Sequence, residues 1–301
     1  MKQTYSNNIW KILVCPQCGN ALKQTDDGAS CASCQIAYNY SDTGALDLRL
    51  RKKKKYQLQF ELDSGALPDS MLEFEPLTEN TSPQIDFSTI KIPERLSKEL
   101  ISYFPKAKAA DSLMLDLGCG STLHREICKH AGFEYVGLDY YACEAPILGD
   151  AHSLPFSDNS FEFILFINTL EHCRYPFIAI REIVRILKSG GTLIGTVAFL
   201  EPFHDNSFYH HTHLGILNSL LYSGLRIKYI APNPKWPVFV ALAHMHFFRG
   251  MPGLLSKALV LPLHILHRLW WTFISIVSGK KLNNYRLRKF AGSFAFIANK
   301  E

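Results

Sequence analysis

The chain has 301 residues, of which 47% are hydrophobic and 20% charged, so it is long enough for one full-sized globular domain and a small additional module. This composition excludes collagen, a disordered tail and a coiled coil. The net charge of +5 is too small to indicate a partner, but its distribution is uneven, because positions 206–300 contain twelve Lys or Arg residues and no Asp or Glu. The C-terminal third is therefore strongly cationic.

Four of the eight cysteines form two C-x-x-C pairs near the N-terminus, at Cys15, Cys18, Cys31 and Cys34. Four thiolates on two short turns can surround one tetrahedral Zn²⁺ ion and leave no coordination position open for a substrate. We therefore predict a structural zinc module over residues 1–50, with redox chemistry and chance spacing as the alternatives. No secretory segment precedes the pairs, so we expect a cytoplasmic protein, with the inner membrane face as a second location.

Segment 13–48 begins Leu-Val-Cys-Pro-Gln-Cys-Gly, continues with Cys-Ala-Ser-Cys-Gln-Ile-Ala-Tyr and ends in Gly-Ala-Leu-Asp-Leu. It resembles the small zinc-ribbon proteins that act as activator subunits of nucleic-acid and protein methyltransferases. It is also similar to the zinc ribbons at the start of some bacterial methyltransferases. This resemblance implies a zinc ribbon that often lies beside a methyltransferase.

Residues 51–92 are predicted to be a linker. Six of the seven residues at 49–55 are basic, and seven acidic residues follow between positions 61 and 86. A solvated connector is the expected structure, and a phosphate-binding strip is the alternative.

A mostly apolar run at 113–117 ends in the turn Gly118-Cys119-Gly120, which is typical of a buried parallel strand that leads into a helix. Dinucleotide-binding loops have a third glycine, where this chain has Leu123. The turn therefore favours a ligand without a pyrophosphate but with a charged amino acid end, such as S-adenosylmethionine. We expect the N–H groups of Gly118 and Gly120 to meet its carboxylate and Asp116 to face its ammonium group.

Two more carboxylates follow this turn. Asp139 ends a second predicted strand, nineteen residues after Gly120, which is the spacing of a carboxylate that binds ribose hydroxyls. Asp150 and Ala151 follow Gly149, where the Asp150 carboxylate is placed to accept a hydrogen bond from an adenine amino group.

The order of these pieces resembles the class I S-adenosylmethionine-dependent methyltransferases. Five motifs carry the resemblance: Asp-Leu-Gly-Cys-Gly at 116–120, the strand-end Asp139, Gly-Asp-Ala-His-Ser-Leu-Pro-Phe at 149–156, Leu-Glu-His at 170–172 and Arg-Ile-Leu-Lys-Ser-Gly-Gly at 185–191. It implies a Rossmann-like α/β domain over residues 93–301, with a seven-stranded sheet. It also implies cofactor contacts by Asp116, Gly118, Gly120, Asp139, Asp150 and Ala151, with Cys119 as a small loop residue and not a nucleophile.

Methyl transfer from a sulfonium requires the protein to position an acceptor and to remove its proton. The chain has no Asn-Pro-Pro-Tyr-type motif after the fourth strand, so we expect oxygen rather than amide or adenine nitrogen as the acceptor atom. Glu171 and His172 are candidates for orienting or deprotonating the acceptor, with packing and capping as the alternative. Three histidines of the next loop are further candidates for lining the acceptor pocket: His204, His210 and His211.

About sixty residues, 232–289, separate the last two predicted strands where a hairpin would suffice. The segment contains nine Lys or Arg residues and no acid, with long leucine-rich runs. Four interpretations stay open: a helical cap on the domain, a monotopic hairpin that inserts Trp270, Trp271 and Phe273 into anionic lipid headgroups, a spanning helix, and an RNA-binding surface. His264, His267 and Arg268 in the middle of the longest run disfavour the spanning helix.

We therefore expect a zinc-containing, S-adenosylmethionine-dependent methyltransferase that acts on a small-molecule, glycan or lipid-linked acceptor, by O-methylation. Two alternatives are a ribosomal or transfer RNA methyltransferase and a binding or regulatory protein that has the fold without turnover.

Overall fold

A single eight-stranded sheet forms the centre of the protein. The computed structural model describes residues 2–60, 75–200, 206–245, 248, 250–280 and 283–301. The strand order in this sheet is β10-β11-β9-β8-β5-β6-β7-β4. Its strands are β4 (Leu46–Asp47), β5 (Leu113–Leu117), β6 (Glu134–Asp139), β7 (Ile147–Leu148), β8 (Phe161–Ile167), β9 (Leu187–Ala198), β10 (Leu225–Pro232) and β11 (Ser293–Lys300).

The central strands are parallel and covered on both faces. Every residue of β5 is buried, and so is every residue of β8 except Glu162, because the apolar runs of these strands have helices or loops on both sides. β5 pairs in parallel with β6 and β8, whereas β11 runs antiparallel between β9 and β10. The predicted Rossmann-like fold class is confirmed. We call the side of the sheet where the parallel strands end the carboxyl edge.

Helices flank this sheet. The amphipathic helix α4 begins with Pro176 at its first turn and buries Ile180, Ile183 and Ile186 against the sheet. Thr212 caps the helix after β9, because its hydroxyl accepts a hydrogen bond from the Gly215 N–H. The helices before the insertion are α1 (Asn7–Ile12), α2 (Lys98–Ile101), α3 (Arg125–His130), α4 (Pro176–Ile186) and α5 (His213–Tyr222), and a single 3₁₀ turn covers Leu170–His172.

Strand β9 contains an irregularity at 188–191. There the pairing with β8 shifts register and Gly190 adopts a φ of +71°. The strand continues past this irregularity: Phe161 pairs with Leu187 before it, and Phe163 pairs with Thr192 after it.

The N-terminal module, residues 2–50, is joined to the sheet. Its own antiparallel sheet has the strands β1 (Lys23–Thr25), β2 (Gly28–Cys31) and β3 (Ile36–Asn39). The next strand, β4, pairs in parallel with β7 and adds an eighth strand to the seven that were expected. Tyr38 and Leu46 are fully buried in the same apolar cluster as Val136 and Phe156. The module and the sheet therefore share one core.

The basic run at the start of the linker is held against the protein. Arg49 and Arg51 both form ion pairs with Asp47, and the Lys54 ammonium donates to the Pro16 carbonyl and the Ser153 hydroxyl, each at 2.9 Å. Arg51, Lys52, Lys53 and Lys55 are exposed, so the run is solvated as expected but is attached to the protein through the contacts above. Residues 61–74, the predicted middle of the linker, lie outside the described residues.

The predicted insertion between β10 and β11 is helical. It contains α6 (Val238–His244), α7 (Gly253–Ser278) and α8 (Asn283–Lys289). α7 packs on α6 through its residues Ser256 and Val260, which are buried. Within the part of the chain that the structure describes, α7 is the one helix with the length and apolar composition to cross a membrane.

Candidate cofactor and acceptor site

The glycine turn after β5 lies at the carboxyl edge. Gly118 has a φ of +76°, and a Cβ atom there would lie 2.1 Å from the Thr169 hydroxyl oxygen, so only glycine fits. The Gly118 N–H donates to the Leu138 carbonyl at 2.8 Å, because the pairing of β5 with β6 continues past the end of the strand. This N–H therefore faces the sheet, contrary to the expectation that it faces a ligand.

Asp139 is fixed beside this turn. One carboxylate oxygen accepts from the Gly120 N–H at 3.0 Å, and the other accepts from the N–H groups of Tyr141 and Ala142 at 2.9 and 3.0 Å. The carboxylate and the glycine turn are thus one rigid unit at the ends of two neighbouring strands. Three of its roughly four lone-pair sites are thus occupied, so about one remains for a hydroxyl group. The Gly120 N–H is engaged by Asp139, contrary to the expectation that it meets a ligand carboxylate.

Asp116 lies beneath the turn, almost completely buried. The Tyr135 hydroxyl donates to its carboxylate at 2.7 Å, and His124 Nδ1 lies 3.2 Å from the same oxygen. Burial raises the pKa of Tyr135, and the negative charge of Asp116 raises it further, so the tyrosine keeps the proton that it donates. Asp116 therefore links β5 to β6 and to the residue before α3, and its predicted contact with an ammonium group stays a prediction.

Cys119 has no nucleophilic character in this setting. Burial raises the pKa of its thiol, and the carboxylates of Asp116 and Asp139 raise it further. A protonated, buried thiol is a packing group.

Asp150 lies next along the carboxyl edge, after β7. One of its oxygens accepts from the backbone N–H of His152 at 2.9 Å and pairs with its Nδ1 at 2.6 Å. The Tyr175 N–H donates to His152 Nε2, which places the imidazole proton on Nδ1, facing Asp150. Burial opposes ionisation of Asp150, but these hydrogen bonds lower its pKa overall. Asp150 and Ala151 are both half-buried at the carboxyl edge.

Two tyrosines that are not among the predicted site residues lie next to Asp139. Tyr140 and Tyr141 follow Asp139 directly, and 79% of Tyr141 is exposed. The guanidinium of Arg49 lies 5.6 Å from the centre of the Tyr140 ring, and its Nη1 donates to the Tyr140 carbonyl. Two adjacent aromatic residues after a strand-end acid were the signal available in the sequence. The N-terminal module therefore touches the segment that carries Asp139.

Glu171 connects the 3₁₀ turn to the following loop from inside the protein. It is fully buried, and its Oε1 accepts from the Ala198 N–H at 3.3 Å. Its backbone carbonyl accepts from the N–H groups of Phe208 and Tyr209. These contacts tie the 3₁₀ turn to the end of β9 and to the loop that contains Phe208 and Tyr209.

The loop histidines differ in their surroundings. His211 is buried, its N–H donates to the Ala198 carbonyl, and its Nε2 has no hydrogen-bond partner among the described residues. Burial lowers the pKa of His211, so its ring is neutral at pH 7. His210 is exposed and His172 is half-buried, whereas His204 lies outside the described residues.

The four predicted metal ligands lie together in the N-terminal module. The sulfur atoms of Cys15, Cys18, Cys31 and Cys34 all lie within 4.8 Å of one another. The Cys15–Cys34 and Cys18–Cys31 distances are 3.4 and 3.5 Å, close to the roughly 3.8 Å edge of a tetrahedron with Zn–S bonds of about 2.3 Å. Hydrogen bonds from Asn20 lower the pKa of Cys18 to about 6, which favours the thiolate. The cluster therefore fits a four-thiolate zinc site.

Residues 115–195 match the model of a methyltransferase domain family. This match covers the glycine turn, Asp139, Asp150 and Glu171. The matched domain explains why these residues meet at one edge of the sheet.

Two curated proteins and one solved structure illustrate the similarity. An uncharacterised protein of Methanocaldococcus jannaschii is 30% identical over 155 residues, which are 48% of this chain and 64% of that protein. A demethylmenaquinone methyltransferase of Renibacterium salmoninarum is 32% identical over 92 residues, which are 27% of this chain and 39% of that enzyme. The chain thus spans less than two thirds of the length of either relative.

The solved structure is that of geranyl diphosphate C-methyltransferase from Streptomyces coelicolor. It is 13% identical and covers 67% of this chain and 77% of its own, with a TM-score of 0.45.

Proposed function

We propose that this chain, whose core is a class I S-adenosylmethionine-dependent methyltransferase domain, transfers the methyl group of that cofactor to an acceptor bound at the carboxyl edge. The observation that carries the proposal is the rigid unit of Asp139 and the glycine turn. It presents a fixed carboxylate at the end of β6, where a ribose would bind.

Residues at the carboxyl edge offer complementary groups to the ribose, the adenine and the ammonium group of the cofactor. Asp139 accepts a hydrogen bond from a ribose hydroxyl, and the second oxygen of Asp150 accepts one from the adenine amino group. Tyr141 provides an exposed ring beside the adenine. Asp116 contributes negative charge towards the ammonium group. The bound cofactor supplies an electrophilic methyl group on a sulfonium sulfur.

The acceptor side supports O-methylation. His211 is the best candidate base, because it is neutral at pH 7 and its Nε2 has no partner among the described residues. Glu171 holds the loop that carries His211, and His172 and His210 are second candidates. We propose a small-molecule, glycan or lipid-linked acceptor, a class to which the demethylmenaquinone named for one relative belongs.

We further propose that the four-cysteine cluster holds a structural Zn²⁺ ion, supported by the sulfur distances above. The four thiolates would supply all its ligands, so the ion would stabilise the module and take no part in methyl transfer. A zinc–thiolate site and eight free cysteines fit a reducing compartment, which supports the cytoplasm as the location.

Calorimetric titration with S-adenosylmethionine and S-adenosylhomocysteine tests the cofactor site. Asp139→Ala removes the ribose acceptor, and we expect at least a ~100-fold rise in Kd, since hydrogen bonds to a charged group contribute about 1.5–3 kcal/mol each. Asp139→Asn keeps the shape of the side chain without its charge, and Asp158→Ala is the control at an exposed carboxylate. Full cofactor affinity in both Asp139 variants would contradict the site, and no affinity in the unmodified protein would favour a binding protein without turnover.

Mass spectrometry of lipid and glycan extracts then tests the acceptor class. Extracts from cells with the active protein should contain a species heavier by one methylene than its counterpart in cells with Asp139→Ala. A change confined to RNA would instead support the nucleic-acid alternative.

A further inference from the structure

Helix α7 has a packed strip on one side. Ser256 and Val260 are buried, and the Ser256 hydroxyl donates to the Ala243 carbonyl at the end of α6. Further along, His264 and His267 pack on the ring of Phe239, at centroid distances of 4.8 and 4.9 Å. These positions recur every three or four residues, so they form one line along the helix.

The opposite side of α7 is apolar and at least half exposed. At 100° per residue, eight large side chains fall within a 120° sector that points away from the packed strip. We call them the outer strip: Leu255, Leu259, Leu266, Leu269, Trp270, Phe273, Ile276 and Val277. A continuous apolar surface of this size on a folded protein is an interaction site and not ordinary surface.

Positive charges lie on the flank of α7 between the packed strip and the outer strip. Lys257 and Arg268 are eleven residues apart, which is three helical turns, so they lie together on one flank of α7. No Asp or Glu occurs anywhere from position 206 to position 300. This combination complements an anionic lipid surface, which offers negative headgroups above an apolar interior. A second copy of the chain would bring like charges together, and RNA would leave the leucines uncovered.

An orientation in the membrane plane fits better than a membrane crossing. The 26 residues of α7 would span about 39 Å, enough to cross a bilayer. The packed strip, however, holds the helix against α6 and Phe290, and Arg268 lies in its middle. Charge at that depth is costly in a bilayer, whereas a flat helix keeps Arg268 at headgroup level.

The insertion leaves the sheet at the carboxyl edge. Pro232 at the end of β10 pairs with Phe294, and Ser293 pairs with Ala198 at the end of β9. The Gly292 carbonyl accepts from the N–H groups of Phe199 and Leu200, in the segment that leads to the loop of His211. The helices therefore stand on the same edge of the sheet as the proposed methyl-transfer site.

We propose that the outer strip of α7 binds in the plane of an anionic lipid leaflet and brings the acceptor side of the domain to a membrane-borne acceptor. The second half of this statement rests on the proposed function, whereas lipid binding does not. A flat helix on the cytoplasmic leaflet gives a lipid-linked acceptor a short route to the carboxyl edge.

Flotation of the full-length protein with phosphatidylcholine vesicles, with and without phosphatidylglycerol, tests the proposal. We expect binding that rises with phosphatidylglycerol content. Leu266→Glu combined with Leu269→Glu and Phe273→Glu should weaken partitioning at least ~10-fold, and Leu221→Glu on α5 is the matched control. Lys257→Gln with Arg268→Gln should weaken binding about 5-fold per charge, on anionic vesicles alone, with Lys98→Gln and Lys129→Gln as controls.

Cofactor titration of the same variants separates this proposal from the proposed function. Unchanged cofactor affinity with lost flotation supports lipid binding, even if the methyl-transfer proposal later fails. Equal flotation of the outer-strip variant and the unmodified protein would overturn the proposal. If the protein forms a concentration-dependent dimer that the outer-strip substitutions dissociate, and does not bind vesicles, the strip binds a second copy and the proposal is overturned. Retention on RNA without vesicle binding would overturn it in favour of nucleic acid.

Discussion

The two additions to the central sheet have opposite surfaces. The N-terminal module contributes β4 to the sheet and buries Tyr38 and Leu46 in the common core. The insertion, by contrast, buries a narrow line of α7 and leaves the eight side chains of the outer strip at least half exposed. Among the described residues, the module packs its apolar side chains against the sheet, whereas the outer strip packs against no other element.

The module and the insertion also differ in whether their charged side chains have partners of opposite charge within the same region. In the module, Asp47 is neutralised by Arg49 and Arg51, and Arg49 also contacts Tyr140 beside the proposed ribose-binding Asp139. The insertion has nine Lys or Arg residues and no internal acid to pair them. The comparison indicates that the module supports the cofactor side from within, whereas the insertion serves a partner outside the chain.

The largest expected effect comes from a metal ligand of the module. Cys15→Ser removes one thiolate from the four-cysteine cluster, and we expect loss of the zinc and a fall in the free energy of unfolding by more than about 3 kcal/mol. Because module and sheet share one core, the whole domain should be destabilised. Metal analysis together with thermal denaturation measures both effects.

Cys143→Ser, at an exposed cysteine outside the cluster, is the control for this substitution. A Cys15→Ser protein that unfolds at the control's temperature and binds the cofactor equally well would show that the module is independent of the sheet. The module would then not stabilise the sheet.

The next effect concerns the contact between the module and the cofactor cleft. Arg49→Ala removes the ion pair with Asp47 and the hydrogen bond to the Tyr140 carbonyl. We expect the Kd of S-adenosylmethionine to rise about 5-fold, which corresponds to about 1 kcal/mol. Arg226→Ala, at an exposed position on β10, should leave the Kd unchanged. Equal affinities of the two variants would mean that the module does not contribute to cofactor binding.

A smaller effect is expected for the stability of the outer-strip variant. Because Leu266, Leu269 and Phe273 are more than half exposed, their replacement by Glu should change the free energy of unfolding by at most about 0.5 kcal/mol per site. Denaturant unfolding in the absence of lipid measures it. A loss of several kcal/mol would mean that the strip is covered within the protein, and the contrast with the module would disappear.

Sequence patterns predicted the strands that lead to the proposed cofactor site well. The strand at 134–139 has the expected bounds, because apolar runs between turn residues specify buried strands. The two-residue strand β4 was missed, since Leu46 and Asp47 carry no periodicity and pair only through tertiary contact. The direction of the Gly118 N–H was also unpredictable, because it depends on how far β5 and β6 stay paired.

The acceptor half was less predictable. Glu171 and the loop histidines were selected by residue type, but their burial depends on how the loop returns to Ala198. Composition likewise left four interpretations of the insertion open. Only the fold separates the packed strip of α7 from its outer strip, because the packed strip is the more polar line, with Ser256, His264 and His267.

The smallest expected effect is a difference in acid sensitivity between the two additions. Burial lowers the pKa values of His264 and His267, and the neighbouring charge of Arg286 lowers both further, with Arg268 adding to the effect on His264. The folded insertion therefore prefers neutral rings, so this contribution to its stability is complete above pH 6.5 and is lost as the pH falls below that value. Burial opposes ionisation of Asp47, but its bonds to Arg49 lower its pKa overall, so its contribution is complete above about pH 4 and is lost as the pH falls below that value.

Tryptophan fluorescence between pH 7.5 and 5.5 distinguishes the two regions, because Trp236, Trp270 and Trp271 lie in the insertion and Trp10 in the module. In a Trp10→Phe protein the emission should shift towards the red as the pH falls, and His264→Gln with His267→Gln should flatten this shift. A protein that retains Trp10 as its only tryptophan should show no shift. Equal emission shifts from the two proteins would mean that acid changes the packing of the whole domain through its shared core. The insertion would then not be a separate, outward-facing unit.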